Sequence, residues 1–171
     1  GFGGQGVLFS GLALAQGALH EKLQVSWIPS YGPEMRGGTA HCHVRISQHP
    51  IASPWISRPS SLLAFNQPSI DKFAPSIRPG GILIYNTNMC PNGCKRTDIQ
   101  IVAAPLVDIA QEIGNQMVLN MLAIGIIIGK TGLIKYETME QDLTGFMQKK
   151  NPELLELNLK AIKRGIEIGK G

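Results

Sequence analysis

The sequence predicts an α/β fold, a Rossmann-like three-layer sandwich whose largely parallel sheet carries helices on both faces. Three observations predict it. A glycine cluster, Gly1-Phe2-Gly3-Gly4-Gln5-Gly6, runs straight into an apolar segment of helical period. Short strand-like runs alternate with helix-like ones along the rest of the chain. Two of those runs, 61–66 and 82–85, are apolar along most of their length, as strands covered on both faces are.

The elements follow in order. Val7, Leu8, Gly11, Leu12, Ala15, Ala18 and Leu19 share one helical face, with small residues that permit close packing. The chain opens inside what reads as a loop after a strand, so the first strand is expected to be missing from the N-terminus. Residues 23–29 and 39–47 read as strands. In the second, Cys42, Val44 and Ile46 alternate with His41, His43 and Arg45. Cys42 is therefore expected on the apolar face and the two histidines on the other. Asn66-Gln67-Pro68 starts a helix over 69–77, since proline is tolerated in a first turn. Pro79-Gly80-Gly81 is a turn before the strand 82–85. The last strand is 98–103, and a helix over 106–113 ends at Gly114. Residues 117–128 are apolar nearly all round, which predicts a buried or interface helix. Residues 137–149 and 152–168 are amphipathic, with Pro152 opening the final helix. One domain spanning 1–171 is expected.

Of the 171 residues, 43% are hydrophobic and 16% charged, which argues against disorder. A net charge of +4 suits a phosphorylated ligand or an acidic partner, but no basic run is dense enough for nucleic acid. Three cysteines are too few, and odd in number, for a secreted disulfide scaffold. The apolar stretch 113–129 falls short of the ~20 residues of a membrane helix, and Asn115 and Asn120 interrupt it. With no signal peptide in view, a cytoplasmic location is expected.

Two loops carry candidate chemistry. In the glycine cluster, Gly1, Gly3, Gly4, Gln5 and Gly6 satisfy the spacing with which backbone amides at a helix N-terminus approach a phosphate. The following strand lacks the terminal acid that would hold a ribose hydroxyl, which argues against NAD. The second loop is Tyr31-Gly32-Pro33-Glu34-Met35-Arg36-Gly37-Gly38-Thr39. Arg36 there is suited to grip a phosphate or carboxylate with its fork of donors, with Gly37, Gly38 and Thr39 beside it. The alternative is a local surface pair between Glu34 and Arg36. Cys90 and Cys94 have no second pair, so a turn carrying two thiols is favoured over a metal site. Gly125 and Gly129 have the spacing that lets helices approach closely, within the core or between subunits.

Read together and in order, GFGGQGV, SYGPEMRGGTAHCHVRIS, LLAFNQPSIDKF, RPGGILIYN and ELNLKAIKRG resemble the gamma component of 2-oxoacid:ferredoxin (flavodoxin) oxidoreductases, of the 2-oxoglutarate or branched-chain type. The likeness covers nearly the whole chain. It implies a subunit of an enzyme that turns a 2-oxoacid, CoA and oxidised ferredoxin into acyl-CoA, carbon dioxide and reduced ferredoxin, with 2-oxoglutarate as the favoured substrate. It also implies that alpha and beta subunits and a ferredoxin-like subunit or ferredoxin are the partners, in a dimer of hetero-oligomers. Thiamine diphosphate, magnesium and iron–sulfur clusters would lie in those partners. The chain has neither a Gly-Asp-Gly motif for the first two nor a ferredoxin-type run of four cysteines. It is therefore expected to hold no catalytic residue, no metal and no cofactor of its own, and to be inactive alone. On this reading the two loops contribute to CoA binding, and Tyr31, Gly32 and Glu34 shape the loop and the subunit interface. The rival readings are an independent nucleotide-binding regulatory module and a purely structural interface subunit.

Overall fold

The computed structural model describes residues 1–32 and 38–171. Helix α1 is Val7–His20. Its small residues serve the packing expected of them: a Cβ on Gly11 would lie 3.0 Å from Trp27 and Val44 of the ribbon beneath. Strands β1, Gln24–Tyr31, and β2, Ala40–Ser47, pair antiparallel from Gln24↔Ser47 to Tyr31↔Ala40. A connection this short can only turn the chain back on itself, because a parallel return needs a dozen residues or more. This ribbon is where the molecule departs from an all-parallel sheet.

β1 runs through Pro29 to Tyr31, two residues beyond the expected end at residue 29. The register explains why. On the edge of β2 away from β1, Ala40 exchanges two backbone hydrogen bonds with Gly1, of 2.9 and 3.0 Å. Since bonding alternates along an antiparallel strand, His41 and His43 turn their backbone groups to β1, whereas Cys42 does not. Pro29 lies opposite Cys42, at a position that asks for no donor. The same alternation directs the backbone of Cys42, Val44 and Ile46 toward a cavity of about 640 Å³, lined on its far side by Ser61, Leu62 and Leu63.

Strands β3, Ser61–Ala64, β4, Ile82–Asn86, and β5, Gln100–Ala104, form a parallel sheet in the order β3-β4-β5. Helix α2, Gln67–Phe73, links the first two. Asn66 caps it by accepting from the Ser69 amide at 3.0 Å. Side chains of β4 alternate between two cores. Leu83 packs with Ile70, Ala74, Ile77 and Cys90, and Ile84 packs into the larger cluster on the opposite face. Helices therefore cover both faces of the parallel sheet, as predicted. The β4–β5 crossover carries a 3-10 turn and a loop in place of an α-helix.

Helix α3 is Leu106–Ile113, ended by Gly114 at φ 124°. Helix α4 is Leu119–Thr131, preceded by a 3-10 turn that Asn115 caps. Met121, Leu122, Ala123, Ile124 and Ile126 are fully buried in it, so this is a core helix and not a docking face. Helix α5, Tyr136–Met147, and helix α6, Pro152–Lys170, complete the chain. Gly125 and Gly129 of α4 pack on the backbone of α6, which brings its own Gly165 and Gly169 to the seam. Of the two uses expected for this glycine pair, the structure selects core packing. Among the described residues no helix is long and apolar enough to cross a membrane.

Candidate functional site

Sequence alone left the two candidate loops unconnected in space. The structure joins them. Phe2 forms an isolated antiparallel bridge with Thr39, and the Gly3 amide donates to the Gly38 carbonyl at 2.8 Å. The Gly32 amide, in turn, donates to the Thr39 carbonyl at 3.1 Å. Gly32, Gly38 and Thr39 thus stand beside the glycine cluster at the N-terminus of α1, with the exposed ring of Tyr31 next to them. Pro33, Glu34, Met35, Arg36 and Gly37 lie outside the described residues, and with them the expectations for Glu34, Arg36 and Gly37.

Within the cluster the work is divided. Gln5 closes the turn on itself: its Oε1 accepts from the Phe2 amide at 2.6 Å, and its own amide donates to the Phe2 carbonyl at 3.2 Å. The Gln5 side chain and the Gly3 amide are therefore occupied in holding the loop's shape. Gly1 is tied down by Ala40 and by the Ser69 hydroxyl, which accepts from its nitrogen at 2.8 Å and donates on to Asn66 Oδ1 at 2.6 Å. Gly4 is the exposed member of the cluster, and Gly6 turns its Cα toward Asn120. Gly4 adopts φ 97°, and a Cβ there would meet none of the described residues within 4 Å, so none of them obstructs a ligand approaching its backbone. Gly6 is the N-cap of α1 at φ 73°.

That helix start is electrostatically open. Gly6 supplies no side-chain cap, and no acidic residue occupies the first turn. The first amides of a helix have no carbonyl partners within it, and the summed peptide dipoles make this end positive. Two left-handed glycines at the start of an uncapped 14-residue helix make an arrangement of the kind suited to an anion.

Sequence reading missed Asn120, which it treated only as an interruption of an apolar stretch. The residue is 7% exposed, and a Cβ on Gly6 would fall 2.5 Å from its Nδ2. The available signal was a lone carboxamide in a segment otherwise built for burial. Ser69 was missed too, and nothing in its local sequence marks it as a partner of Gly1.

The remaining candidates sit elsewhere. His41 and His43 line the cavity between β2 and β3 and form an aromatic layer, with ring centres 5.8 Å apart and Phe73 5.0 Å from His41. Burial, aided by Lys72 and His43, holds His41 below the usual histidine range. Cys42 faces α1 as expected, its thiol donating to the Val7 carbonyl, and burial pushes that thiol up. Cys90 is buried, with its thiol pushed up to about 11, first by burial and then by Asp71. Cys94 packs partly buried beside the same cluster, and both thiols are free.

A model of the pyruvate ferredoxin/flavodoxin oxidoreductase family matches residues 1–168. Ketoisovalerate oxidoreductase subunit VorA of Methanothermobacter marburgensis is 40% identical over 98% of this chain. The chain spans only 35% of that relative's length. The 2-oxoglutarate synthase subunit KorC of Methanocaldococcus jannaschii is 31% identical over 99% of this chain and 91% of its own. Among solved structures, the gamma subunit of a keto/oxoacid ferredoxin oxidoreductase from Geobacter sulfurreducens superposes with a TM-score of 0.80. It is 28% identical, over 98% of this chain and 94% of that one.

Proposed function

Because the chain belongs to the pyruvate ferredoxin/flavodoxin oxidoreductase family, we propose that it works as the gamma-type component of a 2-oxoacid:ferredoxin oxidoreductase, a single domain that helps to bind CoA. The complex decarboxylates a 2-oxoacid oxidatively and passes the acyl group to CoA and the electrons to ferredoxin. The observation that carries the reading is the Gly3–Gly38 hydrogen bond, which sets Gly38, at the end of the second candidate loop, beside a phosphate-type glycine loop. CoA carries several phosphate groups, and the exposed backbone of Gly4 with the helix start at Gly6 suits one of them. Thiamine diphosphate with magnesium, and the iron–sulfur clusters, belong in this reading to alpha, beta and ferredoxin-like partners in the cytoplasm, arranged as a dimer of hetero-oligomers. When bound there, thiamine diphosphate supplies the carbanion chemistry and the clusters carry electrons away.

The preferred substrate is 2-oxoglutarate. A branched-chain 2-oxoacid is the second reading, supported by the 40% identity to a ketoisovalerate oxidoreductase subunit. Calorimetric titration of the full chain with CoA, ADP and NAD tests the ligand. Binding of CoA above the other two is expected. Preference for NAD supports an independent nucleotide module, and no binding by chain or complex leaves a structural subunit. Viologen reduction by the assembled complex, compared for 2-oxoglutarate and ketoisovalerate, separates the two substrates.

A further inference from the structure

We propose that Asn120 is a ligand-contacting residue of the glycine-loop site, donating from its Nδ2 to an anionic oxygen held at the N-terminus of α1. The inference rests on the anion-binding reading of that loop and adds a side chain to it. Its geometry is fixed by three observations. The carboxamide is oriented, because Oδ1 accepts from the Met121 amide at 2.9 Å, which commits the oxygen to the first turn of α4. The NH2 end is left, and it stands over Gly6, 2.5 Å from where a Cβ there would be. Finally, the residue is 7% exposed, and among the described residues its Nδ2 has no hydrogen-bond partner.

A donor that no described residue engages, on a carboxamide already oriented by its oxygen, is available to a ligand oxygen. Its position supplies one. Gly6 is the N-cap of an α-helix with neither a capping side chain nor a first-turn acid. An oxygen seated there takes helix amides from one side and the Asn120 donor from another. The pairing also explains why position 6 is glycine: any side chain would occupy the space into which the carboxamide projects. A phosphate ester fits this chemistry, since it offers several charged acceptor oxygens at once.

The test titrates the full chain with CoA and, separately, with inorganic pyrophosphate, in the parent and in Asn120→Ala and Asn120→Asp. Asp keeps the shape and the Oδ1 bond to Met121 but places a carboxylate where the donor was. The expected result is a loss of affinity of about tenfold for Ala and a larger loss for Asp. A brace that only supports Gly6 would tolerate the isosteric Asp better than Ala, and that order overturns the inference. Nor does it survive if both variants bind within about twofold of the parent. Should either variant unfold, the Asn120 side-chain NH2 resonances of the parent decide: they shift on titration if the contact exists and stay in place if it does not. Binding of pyrophosphate without CoA would retire the CoA reading and leave Asn120 standing. A parent that binds neither would retire both.

Discussion

Gly125 of α4 and Gly165 of α6 approach so closely that a Cβ on Gly125 would lie 2.9 Å from the Gly165 Cα, and one on Gly165 2.8 Å from the Gly125 Cα. The nearest obstacles also include backbone carbonyls of the opposite helix, which a rotamer change cannot move. Gly125→Ala or Gly165→Ala is therefore expected to destabilise the fold by about 1–3 kcal/mol through overpacking, although alanine is the better helix former. Gly145→Ala in α5, where a Cβ meets none of the described residues within 4 Å, should be neutral or stabilising. Denaturant unfolding of the three variants checks this, and equal stability of Gly125→Ala and Gly145→Ala would refute it.

Arg36 is expected to matter more for CoA than for the 2-oxoacid. In the assembled enzyme Arg36→Ala should raise the KM for CoA by roughly ten- to a hundredfold, the loss of one charge-assisted contact worth about 1.5–3 kcal/mol. Arg36→Lys should recover part of it, since an ammonium keeps the charge and loses the fork. If Arg36 only pairs with Glu34, then Glu34→Ala and Arg36→Ala will damage the use of both substrates alike.

The purified chain alone should give no 2-oxoacid-dependent reduction of ferredoxin or viologen. It carries neither a Gly-Asp-Gly motif nor a four-cysteine cluster motif. Turnover above that of a mock purification would contradict this.

Cys90 should resist alkylation in the folded protein. It is 3% exposed, and burial with Asp71 nearby raises its thiol to about 11, so at pH 8 only about one molecule in a thousand carries the reactive thiolate. The sign is plain: a raised thiol value means that alkylation quickens as pH climbs toward 11. Mass spectrometry after brief iodoacetamide treatment at pH 8 should find Cys94 modified and Cys90 intact. Equal labelling of the two would show that the burial is not maintained in solution.

Local signals in the sequence located much of this molecule. Gly114 stops α3 where its φ of 124° requires a glycine, and Pro152 opens α6 at its first turn. Cys42 and Val44 face α1, as period-2 alternation demands. Pairing was less legible. An apolar strand does not declare the direction of its neighbour, so the antiparallel ribbon emerged only from the shortness of its connection. The half of the seam contributed by Gly165 and Gly169 was hidden inside an amphipathic pattern. At the site, spacing identified the glycine loop but not the division of labour within it. Gln5 and Gly3 turn inward, and that depends on Phe2 and Gly38 as acceptors and donors that no linear motif contains.

The closeness of α4 and α6 bears on how the protein is made. Helix α4 leaves the ribosome before α6, and until α6 arrives its Gly125–Gly129 face is bare backbone edged with isoleucine. The nascent chain must carry that apolar helix through α5 before its cover exists, an interval in which chaperone engagement or aggregation competes with folding. A chain interrupted ahead of Pro152 would keep every residue of the glycine loop and still lack the element that shields its core.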